Sequence, residues 1–95
     1  MGEHREARFE WDEAKARSKL RTKKVSFEEA RSIFAGHAIE WRDLRRDYGE
    51  ERWVILGPVR GRLFVVVYTY RDGRRRLISA RKANPREVRL YGTRS

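Results

Sequence analysis

The order of hydrophobic periods along the chain predicts an α+β domain. Two N-terminal helices are expected on a small antiparallel β-meander, followed by a short C-terminal helix. Phe27, Ala30, Ile33 and Phe34 fall on one helical face, whereas beyond Gly36 apolar and polar residues alternate. Asp72-Gly73 then stands between two strand-like runs. Asp-Gly in that setting favours a type I′ hairpin turn, because both central residues need positive φ.

Residues 1–8 are polar and are expected to form a flexible tail, leaving 9–95 as one domain. Phe9-Glu10-Trp11 suits a short strand or extended entry, and Asp12 can N-cap a helix over 13–24, where Glu13 and Arg17 sit at i and i+4. Ser26-Phe27-Glu28-Glu29 has the form of a capping box, with Val25 and Ala30 as its apolar staple, and Gly36 can end that second helix. Ile39 and Trp41 alternate with Glu40 and Arg42, as in a half-buried strand, and 43–51 is polar enough for a loop. A strand over 53–56 ends or bulges at Gly57-Pro58, and Arg60-Gly61 turns the chain into a long strand over 62–70, paired with 74–82. Asn84, Pro85 and Glu87 provide an N-cap, a first-turn proline and a first-turn acid for a last short helix reaching about 91. Trp11, Trp41 and Phe34 are assigned to the core.

Composition narrows the function. The 95 residues include 24 Lys/Arg against 14 Asp/Glu, a formal charge of +10. Residues 71–95 alone hold nine Lys/Arg and two acids, a net of +7. Such a field favours a polyanion: RNA, DNA or an acidic protein. With no cysteine there is no disulfide, thiol nucleophile or cysteine metal site, and His4 and His37 alone make no convincing metal centre, so no cofactor is expected. No apolar run approaches a membrane span and the opening residues are unlike a signal peptide, which predicts a cytoplasmic protein without membrane contact.

A two-residue turn also fixes register. Arg71 then pairs with Arg74, Tyr68 with Leu77, Val66 with Ser79 and Phe64 with Arg81. Arg62, Phe64, Val66, Tyr68, Tyr70, Arg75, Leu77, Ser79 and Arg81 share one side on this reading, and Val65, Val67, Ile78 and Ala80 form the side that receives the helices. A one-residue bulge would swap one strand's faces. Arg62, Tyr68 and Arg81 would together suit metal-free RNA cleavage, with guanidinium groups on the phosphate and tyrosine or a low-pKa lysine moving protons. The plain alternative is a solvated strand face with Tyr68 partly buried.

Several blocks carry a family resemblance: Phe9-Glu10-Trp11-Asp12, Ala14-Lys15, Val25-Ser26-Phe27-Glu28-Glu29-Ala30, Gly49-Glu50-Glu51-Arg52, Gly61-Arg62, Val67-Tyr68-Thr69 and Ile78-Ser79-Ala80-Arg81-Lys82-Ala83. Over residues 9 to about 91 the chain resembles the BrnT toxins of bacterial type II toxin–antitoxin systems. The resemblance implies a RelE-like fold and ribonuclease activity that halts translation and growth. It also implies neutralisation by a BrnA-type antitoxin in a 2:2 complex, which contacts operator DNA through the antitoxin and regulates its own operon. Carried over residue by residue, Arg62, Arg81 and Lys82 would grip phosphate and Tyr91 would be a second site aromatic, with strand closure for Lys82 and packing for Tyr91 as the alternatives. Arg52, Arg74, Arg75 and Arg76 are RNA-binding candidates, although Arg52 also suits an ion pair with Glu50, and Glu87 suits a helix cap better than a general base. One departure stands out: the family's Lys-His-Gly-Val is Thr22-Lys23-Lys24-Val25 here, placing Lys23 at the histidine position. A lysine's free pKa of about 10.4 suits proton transfer only after strong perturbation. The alternative function is therefore a weakened or inactive toxin that serves as an antitoxin-binding and corepressor module.

Overall fold

Two tight hairpins build the scaffold. Arg60 and Gly61 (φ 52° and 81°) and Asp72 and Gly73 (φ 51° and 76°) are consecutive left-handed pairs, the geometry of type I′ turns. In the computed structural model, which describes residues 3–5, 8–12, 27–45, 47 and 49–94, these turns join three long strands. They are β4 (Trp53–Val59), β5 (Arg62–Arg71) and β6 (Arg74–Lys82), and β3 (Ile39–Arg42) pairs antiparallel with β4 to complete the expected meander.

The sheet is larger than the meander. β2 (Phe9–Asp12) runs parallel to β6, with Phe9 beside Arg75 and Glu10 beside Arg76, and β1 (Glu3–Arg5) lies antiparallel on β2. The result is a mixed six-stranded sheet of order β1-β2-β6-β5-β4-β3, correcting the purely antiparallel expectation. The outer edge of β6 is the reason: its backbone groups need partners, and the Arg75 N–H donates to the Arg8 carbonyl at 2.8 Å. Buried Trp11 anchors the added strand over the core. The stretch 1–8, read from sequence as a tail, thus contains a paired strand.

The expected first helix over 13–24, and Ser26 of the capping box, lie outside the described residues. The second helix is shorter than expected, with one α-helical turn, α1 (Phe27–Ala30), followed by a 3-10 segment (Arg31–Ala35). Gly36 does end it, but in extended backbone (φ −99°, ψ −170°) and without a left-handed cap. The C-terminal α2 (Pro85–Arg94) forms as predicted. Its capping box is complete, with the Glu87 N–H donating to Asn84 Oδ1 at 2.8 Å and the Asn84 N–H to Glu87 Oε1 at 2.9 Å.

Helices cover both sheet faces, where one was expected. On the first face Phe27, Ala30 and Ile33 pack with Trp11, Ile55, Val59, Phe64, Val66, Tyr68, Leu77 and Ala80. On the second, Leu90 and Tyr91 of α2 pack against Val54, Leu56 and Val65. This overturns the expected face assignment, in which Val65, Val67, Ile78 and Ala80 received the N-terminal helices. The cause is a register shift between Val67 and Tyr68. From the turn to Tyr68↔Leu77 the pairing is as predicted; beyond it Val67 pairs with Ser79, Val66 with Ala80, Val65 with Arg81 and Phe64 with Lys82. Arg81 therefore lies on the opposite face from Tyr68.

Trp41 is also corrected from core to surface: it is 37% exposed, on the edge strand β3. Trp11 is buried, and Phe34 packs half-buried against the first core. β4 runs straight through Gly57 and Pro58, because Pro58 lies past the last β3 pair, Ile39↔Leu56, where a missing N–H is tolerated. Gly57 has a packing role, since a Cβ there would fall 2.6 Å from Ala38 Cβ and 3.2 Å from Ile33 Cγ1. Gly57→Ala should cost about 1–3 kcal/mol, read as a lower urea midpoint at unchanged m-value.

Candidate functional site

The first sheet face ends, near the Asp72-Gly73 turn, in a cluster of aromatic rings and guanidinium groups. Arg75 pairs with Tyr70 across the hairpin, and its guanidinium carbon lies 4.5 Å from the Phe34 ring centroid, 5.6 Å from that of Tyr68 and 5.7 Å from that of Tyr70. The rings interlock edge to face, Phe34 with Tyr68 at 5.1 Å and Tyr68 with Tyr70 at 5.6 Å. Cation–π contact holds the Arg75 guanidinium against these rings. One strand over, Arg42 lies 5.9 Å from the Trp53 ring.

Strand pairing brings a carboxylate to this cluster. Glu40 on β3 accepts a hydrogen bond from the Tyr68 hydroxyl. The Tyr68 side chain is buried, and that burial, reinforced by the hydrogen bond to Glu40, pushes its ionisation well above the ordinary tyrosine range. Tyr68 is thus a fixed proton donor that orients Glu40. At the surface, exposed Tyr70, Glu40 and Arg42 accompany half-buried Arg75. Such a set can stack a base, hold a phosphate oxygen and accept a proton.

The residues singled out from sequence are dispersed. Arg62 and Lys82 are exposed on β5 and β6, beyond the bulge from the Arg75 cluster. Arg81, on the second face, makes a bidentate pair with Glu87, Nη1 to Oε1 and Nη2 to Oε2 at 2.8 Å each. The Glu87 hydrogen bonds raise the Arg81 pKa further, and Arg81 in turn holds the Glu87 carboxyl below its ordinary range. Tyr91 packs on the second core and donates its hydroxyl to the His37 carbonyl. Arg52 reaches Glu50 at 3.1 Å, the expected ion pair. Of the arginine triplet, Arg75 joins the aromatic cluster while Arg74 and Arg76 point to the other face, where Arg76 meets fully buried Glu10 at 2.9 Å. Lys23 lies outside the described residues.

Glu40, Arg42, Trp53 and Tyr70 were not among the sequence-based site residues. Glu40 and Arg42 alternate with Ile39 and Trp41 as any solvated strand face would, and only the β3–β4–β5 pairing sets Glu40 beside Tyr68. Among the described residues no helix is long and apolar enough to cross a membrane, and no group of three or more His, Asp or Glu is placed to hold a metal.

A small basic α+β protein with helices on a mixed sheet is consistent with RelE-like architecture. Within that class, the family model for the ribonuclease toxin BrnT of type II toxin–antitoxin systems matches residues 11–87. The chain belongs to the BrnT family. No curated protein matches it.

Two titrations test this geometry. Of the four tyrosines, Tyr68 should stay protonated in native protein at pH about 11, beyond the free value of about 10, and appear in the alkaline absorbance change only on unfolding; Tyr68→Phe should remove that late step. Glu87 has its folded pKa below its unfolded one, so its contribution is present above the unfolded value and lost as pH falls through the folded value. Glu87→Gln should therefore lower stability by about 1 kcal/mol at neutral pH, with the difference from the parent closing on acidification.

Proposed function

We propose that this chain is a metal-independent endoribonuclease toxin that cuts RNA, stopping translation and growth, and that a BrnA-type antitoxin neutralises it. In the same reading the complex is 2:2, contacts operator DNA through the antitoxin and regulates its own operon. The observation that carries the proposal is the family match over residues 11–87; the Arg75 cluster supports it chemically.

On this reading Arg75 and Arg42 hold the scissile phosphate, and a base stacks on Tyr70. Glu40, oriented by Tyr68, accepts the proton of the ribose 2′-hydroxyl. The 2′-oxygen then bonds to phosphorus, the bond from phosphorus to the 5′-oxygen breaks, and that oxygen takes a proton from water. Guanidinium groups stabilise the charge that gathers on the phosphate oxygens. Arg62 and Lys82, both exposed, extend a cationic track for the RNA backbone, with Arg52, Arg74 and Arg76 as weaker contributors. Arg81 and Tyr91 hold α2 in place. Lys23, at the family's histidine position, favours a second reading, a weakened toxin acting mainly through its antitoxin, for which Lys23→His is the restoring change.

Total RNA incubated with the purified chain in EDTA provides the test. Glu40→Gln should slow cleavage by about 10²-fold or more, and Arg75→Ala by about 10²–10³-fold. Arg81→Ala separates the two faces, since retained cleavage supports a site at Arg75 whereas lost cleavage moves it to the Arg81 side. RNA left intact by both the parent and Lys23→His would overturn the nuclease reading.

A further inference from the structure

The second sheet face carries a feature that RNA cleavage leaves unused. Between α2 and the edge strand β3 a groove of about 410 Å³ opens, floored by Val54, Val65 and Val67. Trp41 and Leu44 form its apolar walls, 37% and 76% exposed. A second hollow of about 230 Å³ continues past Trp41 to Leu90 and Arg94 of α2. The two share Trp41, so together they form a trench along one side of α2, apolar along its floor and edged by charged side chains that include Arg42 and Glu40.

Charge at the rim is layered. The Asp43 side chain is 2% exposed while its partner Arg45 is 75% exposed, and Glu87 is 17% exposed beside Arg81 at 42%. Carboxylates lie underneath and guanidinium groups face outward. This surface would repel a second copy of a +10 chain. It is equally unsuited to the chain's own stretch 13–26, which has six Lys/Arg and one acid. RNA fits poorly as well, because the floor is aliphatic and calls for apolar side chains that a nucleic acid lacks. An acidic polypeptide bearing bulky apolar side chains matches both the floor and the rim.

We propose that this trench docks an acidic, amphipathic segment of a protein partner, with an apolar side chain seated on the three valines beside Trp41. The inference rests on the toxin reading only in supposing that the chain works with a protein partner. It places that segment on the face opposite Arg75, running beside Arg42 and Glu40 of the RNA-facing set, which line the trench's edge.

The probe is a fluorescein-labelled 12-residue peptide of alternating Glu and Leu, compared with one in which every Leu is Ser. Fluorescence anisotropy should give saturable binding of the Leu peptide and at least tenfold weaker binding of the Ser peptide. Leu44→Asp and Trp41→Ala should each weaken the Leu peptide at least tenfold, whereas Val88→Ser, exposed on α2 outside the groove, should leave it unchanged. Leu44 is mostly exposed, so its variant keeps the fold, which circular dichroism verifies. Equal binding of the two peptides, binding indifferent to Leu44→Asp and Trp41→Ala, or displacement of the peptide by a 12-nucleotide uridine RNA would each overturn the proposal. RNA cleavage in EDTA is scored on the same samples. Cleavage absent with groove-dependent binding intact sinks the nuclease reading alone; the reverse sinks the docking inference alone.

Discussion

The bulge at Ile78 is the constraint on which both faces of this protein depend. In an uninterrupted strand Leu77 and Ala80, three residues apart, would point to opposite sides. Here both are buried in the same core, because Tyr68 pairs with Leu77 and Val67 with Ser79, leaving Ile78 without a β5 counterpart. The extra residue lets β6 contribute Leu77 and Ala80 to the face of Phe64, Val66 and Tyr68, the bulkier set and so the one with more apolar area to bury. It also turns Arg81 outward to the opposite side, where Glu87 receives it and ties the start of α2 to the sheet.

Charge is arranged around the same hinge in pairing. Glu10 is fully buried, which is costly for a carboxylate unless it is matched, and Arg76 meets it at 2.9 Å with Arg71 at 3.9 Å. That contact joins β2 to β6 across the one parallel pairing in the sheet among the described residues. On the first face Arg75, one residue earlier, is held by aromatic rings. Adjacent arginines thus do different work, one locking the sheet and one presented at a surface, because strand alternation separates them.

This division gives each face its own chemistry. The first gathers rings, guanidinium groups and the Glu40 carboxylate, as contact with a nucleic-acid backbone requires. The second offers aliphatic side chains under a paired, outward-facing cationic rim, as docking of a polypeptide segment requires. A +10 chain draws polyanions of both kinds; the rings on one face and the aliphatic floor on the other separate them.

Much of the fold was legible beforehand, since the type I′ turn at Asp72-Gly73, a turn at Arg60-Gly61, the meander they impose and the Asn84–Glu87 cap follow from local backbone chemistry. The family was legible too, in the blocks from Phe9 to Ala83. The candidate site was legible only in part: Arg75 and Tyr68 were singled out, but Glu40 and Arg42 read as ordinary solvated positions. The sequence by itself determined the turns, the helix cap, the charge and the family, because each is written in neighbouring residues. Tertiary structure decided the bulge, the parallel β2 strand, which face each arginine takes and which carboxylate meets Tyr68, because these depend on burial and on pairing between distant strands.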